Sequence, residues 1–165
     1  MTKEIVMSHR EMRRSHQELT SDDTLEILKT GKVAVVAVSG DNGYPYAVPV
    51  NYVYDSGNIY FHSAPQGHKI DAIARNSKCS VCIVDKDGII PAEFTSYFRS
   101  VIAFGIAEVV SDTGIKIEVI KRLCEKYCPG FDPAEEIYKS LSRVAIIRIR
   151  IEHATGKQAI ELTRQ

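Results

Sequence analysis

Tryptophan is absent from this 165-residue sequence, cysteine occurs only four times, and charge cancels, with 21 Lys and Arg against 21 Asp and Glu. That balance leaves no net positive field to gather nucleic acid or anionic lipid, so neither is expected as a partner. No apolar run reaches the roughly 18 to 20 residues of a membrane helix, and the opening MTKEIVMSHREMRRSHQELT has no apolar signal-peptide core. A cytoplasmic protein with reduced thiols is expected. HExxH, GxSxG, GxGxxG and the Walker loop are missing too, which removes the usual signatures of zinc proteolysis, a serine nucleophile elbow and dinucleotide binding. No clustered carboxylate pair suggests glycoside hydrolysis.

What remains is enough for one packed unit: 44% of the residues are hydrophobic, and one domain spanning 1–165 is expected, with 1–19 as a polar N-terminal arm. Thr20 to Asp23 has the form of a helix-start box ahead of Leu25, Ile27 and Leu28, and Gly31 ends that helix. KVAVVAVS (32–39) is rich in β-branched residues, and Asp41, Asn42 and Gly43 follow it as a turn. YPYAVPVNYVY (44–54) reads as the second arm of a hairpin. Its Pro45 and Pro49 cannot donate to a ladder and imply an edge, a bulge or an interruption. NIYFHS (58–63) completes an antiparallel meander, which is expected to curl into a barrel.

A short helix carrying Ile70, Ile73 and Ala74 follows, then strands at 79–85 and 98–110, a helix at 113–128 stopped by Pro129 and Gly130, and a last strand at 143–156. Alternation from Ile147 to Glu152 gives that last strand one wet or partner-facing side. The count is six strands, mainly β, with flanking helices.

Three stretches carry chemistry. In HSAPQGHK a strand ends in small residues and a helix opens after Gly67, so free backbone N–H groups, the Ser63 hydroxyl and the Lys69 ammonium can hold a phosphate dianion. The same residues also fit a plain strand-to-helix corner with a solvated lysine. In AVPVNYVY the prolines leave backbone groups without ladder partners, free to bond the edge of a planar heterocycle, and Asn51 adds an amide. On the residues alone, a bulged edge strand with Asn51 facing water is the more common outcome for such a stretch. Arg99 and Ser100 stand at the entry to an apolar strand, where Arg99 either reaches a phosphate or guards the strand end. His62 adjoins the phosphate corner, and also fits a strand histidine packed on an aromatic neighbour.

Cys79 and Cys82 have CxxC spacing, but on a strand an odd separation sends them to opposite faces, so they are read as small core residues rather than zinc ligands.

Taken in order, the segments KVAVVAVS, VPVNYVYDSGNIYFHSAPQGHK and SVIAFG resemble the FMN-binding split-barrel family related to pyridoxamine 5′-phosphate oxidase, and within it the nitroimidazole-resistance proteins. The resemblance runs from about residue 20 to 156. It implies a six-stranded antiparallel split-barrel homodimer with FMN held between subunits. It also implies an oxidoreductase that passes electrons from reduced FMN to a small-molecule substrate such as a nitro compound. A flavin- or haem-binding module without turnover is the alternative within the family.

Carried onto this chain, the resemblance places Pro49, Val50 and Asn51 along the isoalloxazine. His62, Ser63, Ala64 and Lys69 fall at the phosphate, and Ser100 and Val101 border the cleft from the partner. The tail HATGKQ is similar to that of Nim-like chains and brings Lys157 toward the flavin. Arg99 matches no fixed family residue. No catalytic residue is assigned. The strand from Val101 to Val110 and the one carrying Arg148 and Arg150 are expected at the dimer contact.

Overall fold

The computed structural model describes residues 9–164, so the first eight residues of the expected arm lie outside the described residues. The chain enters through a 3-10 turn at Ser15–Gln17 and then lies against the last strand, with Glu18 bridging to Lys157 and the Leu19 N–H donating to the Gly156 carbonyl at 3.0 Å. A side chain at Gly156 would collide with Leu19 and Thr24, so this approach requires glycine.

Helix α1 (Ser21–Thr30) begins where the sequence places it: the Thr20 hydroxyl oxygen accepts from the Asp23 N–H at 3.1 Å. It stops at Gly31.

Strand β1 (Val33–Ser39) turns through Asp41–Gly43, where Asn42 takes a left-handed φ of 55°, into β2 (Pro45–Asn51). Tyr52 then interrupts the strand, and β3 (Val53–Asp55) continues beyond it, followed by β4 (Asn58–Ser63) and α2 (His68–Arg75). After α2 come β5 (Lys78–Ile90) and β6 (Thr95–Val109), then α3 (Thr113–Tyr127), α4 (Ala134–Ser140) and β7 (Ala145–Gln158).

The strand order is β2-β1-β5-β6-β7-β4-β3, antiparallel at each pairing, and its two ends are the two halves of one chain segment. The sheet therefore closes on itself through the Tyr52 break, which makes it a split barrel. Seven strands stand where six were expected, because stretch 44–54 is divided at Tyr52. The middle arm of the meander does pair on both sides, but each half serves a different neighbour.

One expectation on length is corrected, and one helix is added. The β5–β6 hairpin runs past Asp85 to Ile90, with a bulge between Val84 and Lys86; the exposed end of β5 and the half-buried Thr95–Ser100 pair through their backbones without apolar alternation. Helix α4 was not anticipated; it is short, and the Asp132 carboxylate accepts from the Ala134 N–H at 3.0 Å.

Two apolar clusters hold the fold. One fills the barrel with Ala34, Val36, Ile59, Phe61, Val81, Val101 and their neighbours. The other lies outside it, where α3 and α4 cover Val53 and Ile146 with Ile120, Leu123 and Ile137. β7 is therefore buried on both faces at Ile146 and Ile147, and only its later residues have the wet side expected of the whole strand.

Candidate functional site at the barrel break and the β4–α2 corner

Two features converge around β2 and β4: the interruption at Tyr52 and the turn from β4 into α2.

The interruption is made by the end of α3. The Tyr52 N–H, which a ladder would use, donates instead to the Tyr127 hydroxyl at 2.9 Å. That hydroxyl lies 2.7 Å from the Lys32 carbonyl and 2.8 Å from the Tyr52 carbonyl, so its single proton serves one of the two. The neighbouring Lys126 ammonium donates to the carbonyls of Gly31 at 2.6 Å, Tyr52 at 3.1 Å and Lys29 at 3.2 Å, and sits 4.2 Å from the centre of the Tyr52 ring. Burial lowers its pKa below the ordinary lysine range.

Asn51, on the last position of β2, donates from Nδ2 to the same Lys32 carbonyl at 3.2 Å, which fixes the amide and leaves Oδ1 available. Pro49 is exposed on this outer face, opposite Val35, while Val50 points the other way and packs on the barrel core.

At the corner, α2 is clamped in place. The His68 ring stacks on Tyr46 with centroids 4.1 Å apart, and its Nε2 lies 3.5 Å from an Asp41 oxygen at a geometry outside hydrogen bonding. Arg75 closes the same clamp, its Nη2 2.6 Å from Asp41. Lys69, in the first turn, thus has a fixed root. Its Nζ reaches the Ser63 hydroxyl at 3.4 Å and stands 5.3 Å from the Phe61 ring centre.

Burial alone lowers the Lys69 pKa; no carboxylate contributes. Gly67, at φ 119°, opens the turn with free space on its Cβ side, and no side chain caps α2. A half-buried ammonium with no carboxylate partner among the described residues, a hydroxyl and uncapped helical N–H groups together form a site rich in donors. Ala64 is exposed on the same loop.

His62 is exposed on β4, opposite Ile146, with its side facing α3. It and Asn51 line one cavity of about 440 Å³ together with Leu123, Tyr127 and Arg143. The structure thus gathers Asn51 and His62, and separately Ser63 and Lys69, on adjoining parts of the molecule.

The β6 residues stand apart. Ser100 pairs with Val84 and Lys157, three ladder steps from β2 in the same chain, or about 14 Å. Val101 is completely buried in the barrel core. Arg99 is held by two acids, Asp23 at 3.1 Å and Asp85 at 3.8 Å. The Asp23 pKa is lowered by the Thr20 hydroxyl first, and also by Arg99. Lys157 stands 5.6 Å from the Phe98 ring centre. Lys126, Tyr127 and Arg143 escaped the sequence reading, since only a helix-ending lysine marked the first of them.

Cys79 points into the core, where burial first and Glu152 second push its thiol up to about 11, and Cys82 points outward, as strand geometry requires.

A family model described as pyridoxamine 5′-phosphate oxidase matches residues 20–158. The chain belongs to the pyridoxamine 5′-phosphate oxidase family. Against curated proteins the sequence finds no significant match.

Among solved structures, the family fold recurs in a candidate 5-nitroimidazole antibiotic resistance protein from Bacteroides thetaiotaomicron. That protein has 21% identity and a TM-score of 0.72, with 86% of each chain covered. It recurs in the flavocytochrome Anf3 from Azotobacter vinelandii (24% identity, TM-score 0.73, 90% of this chain and 72% of that one). An FAD-binding protein from Mesorhizobium loti is also similar (25% identity, TM-score 0.64, 86% of this chain and 96% of that one). Across the match to the pyridoxamine 5′-phosphate oxidase family fall both the Tyr52 break and the Ser63–Lys69 corner. Among the described residues no helix is long and apolar enough to cross a membrane.

Proposed function

We propose that the protein is an FMN-dependent oxidoreductase acting on a small molecule, with the flavin phosphate at the Ser63–Lys69 corner. The observation that carries the reading is the half-buried Lys69 ammonium, without an acidic partner among the described residues, 3.4 Å from Ser63 and beside the open turn at Gly67. Family membership and the FAD-binding relative support a flavin. The mononucleotide is favoured because one lysine and one uncapped turn suit a single terminal dianion.

The chain's own part is binding and orientation. Lys69 and Ser63 hold the phosphate. Asn51, its Nδ2 occupied by the Lys32 carbonyl, offers Oδ1 as an acceptor to the N–H edge of the ring system. Pro49, lacking an N–H and exposed, gives a flat surface for the rings. The bound flavin supplies reversible two-electron transfer to the substrate. His62 stands where a proton can be exchanged with a molecule in the adjoining cavity.

A homodimer belongs to the same proposal. The outer face of β1, β5 and β6 exposes Val33 at 49%, Val35 at 38%, Val84 at 57%, Ile102 at 36% and Phe104 at 42%, an apolar band continuous with Pro49 through the Val35–Cys82–Ile102 pairings. A band of that kind marks an association surface. A second copy set on it would bring Ser100 of the partner strand toward Pro49, while Val101 stays in its own barrel core. Arg148 is bound to Glu108 and stands outside this band.

The test is made on freshly purified protein. We expect a yellow flavin spectrum, bleaching by a reduced nicotinamide, recovery with a nitro compound, and a sedimentation mass twice the 18.4 kDa of the chain. A colourless monomer that refuses added FMN would remove the reading, and a haem spectrum would replace it with the binding-module alternative.

A further inference from the structure

We propose that the cavity between α3 and the β4–β7 edge is a binding site for small planar aromatic acids, with Arg143 as the residue that takes the carboxylate. The proposal deepens the functional reading above, on which it rests for the flavin's position at Asn51; the cavity itself is argued from its own walls.

Its volume of about 440 Å³ suits one or two fused rings. Ile120, Leu123 and Val144 supply apolar wall and Tyr127 an aromatic one, so a ligand polar over its whole surface would be hydrogen-bonded only at the few polar groups and lose water elsewhere. A planar apolar body fits these surfaces. A flat ring can also stack on Tyr127.

Arg143 decides the charge. Of the six arginines from Arg75 to Arg150, five are ion-paired: Arg75 with Asp41, Arg99 with Asp23, Arg122 with Asp55, Arg148 with Glu108 and Arg150 with Glu152. Arg143, which lines the cavity, has no carboxylate partner among the described residues. Its Nε donates to the Lys139 carbonyl at 2.9 Å, which orients the guanidinium and leaves its Nη edge for a ligand. That edge matches a carboxylate bidentately. Asn51 and His62 line the same cavity, so a ring anchored by its acid group would stand beside the position given to the flavin.

The test uses the full-length protein, as purified and again after flavin removal, titrated calorimetrically with benzoate and with its neutral analogue benzamide. Both forms are expected to bind benzoate about tenfold more tightly than benzamide, the margin of one solvent-accessible charge-assisted pair. Arg143→Gln is expected to erase that margin while leaving FMN affinity unchanged, and Arg143→Lys to restore part of it. Equal affinity for the two compounds in the parent protein, or an Arg143→Gln variant that keeps the preference, would overturn the proposal. Lys69→Met separates the two readings: it is expected to lose FMN and keep the benzoate margin. If the parent protein binds no FMN, the functional reading fails and the benzoate comparison still decides this one.

Discussion

Lys69→Met is expected to weaken FMN binding by about a hundredfold, while the melting temperature holds or rises slightly. The binding loss follows from removing the one ammonium at the corner, worth about 3 kcal/mol toward a dianion in a partly desolvated setting. The stability outcome has the opposite sign because Lys69 has no acidic partner among the described residues. Burial depresses its folded-state pKa below that of the unfolded chain, so the charged form costs stability at every pH below the folded value, and this cost is relieved as pH rises through it. Methionine keeps the stem and removes the cost.

The same depression sets the pH profile. FMN affinity in the parent protein should fall as pH rises, and the fall should begin at a lower pH than an ordinary lysine would give. A fluorescence titration of FMN from neutral to mildly alkaline pH, below the ionisation of the ring N–H, measures this fall, which Lys69→Met should abolish. An unaltered affinity in the variant would leave the corner without its assigned role.

Tyr52→Ala is expected to destabilise the fold by about 4 kcal/mol, lowering the melting temperature by roughly 10 °C. Tyr52 is completely buried, its hydroxyl donates to the Leu28 carbonyl at 2.9 Å, and its ring supports the Lys126 ammonium at 4.2 Å. Burial, and secondarily Tyr127, raises the phenol's pKa, so it stays a neutral donor across the physiological range.

Removing the side chain opens a cavity where α1, α3 and the barrel closure meet, and it loosens Asn51 next door. Tyr52→Phe isolates the hydroxyl. It should cost about 1 to 2 kcal/mol, because the Leu28 carbonyl is left without its donor while the ring and its packing remain. Chemical denaturation with both variants checks the order; equal losses would mean that the hydroxyl, and not the packing, holds the junction.

Much of this was legible in the chain because it is written locally. The Thr20 cap, the Gly31 stop and the Asn42–Gly43 turn each depend on residues within a few positions of one another. The Ser63–Lys69 corner was legible for the same reason: strand end, glycine and first-turn lysine lie within seven residues.

What was not legible depends on distant partners. Tyr52 breaks its strand because Tyr127, 75 residues further on, takes its N–H. Prolines at 45 and 49 hinted at an interruption but sit inside a regular ladder with β1. Arg99 stands at a strand entry open to a ligand in sequence terms, but Asp23, 76 residues earlier, lies against it. Arg143 carried no motif; its interest comes from a cavity assembled by α3 and β4. The family resemblance gave the strand order's outcome, a closed split barrel, and left these long-range ties to the structure.

The account turns on a phosphate group being gripped where β4 passes into α2. The most direct test compares FMN with riboflavin, which carries the same ring system and lacks the phosphate, in equilibrium titrations of the flavin-free protein at neutral pH. The account predicts that FMN binds about a hundredfold more tightly. Indistinguishable affinities for the two flavins would contradict it.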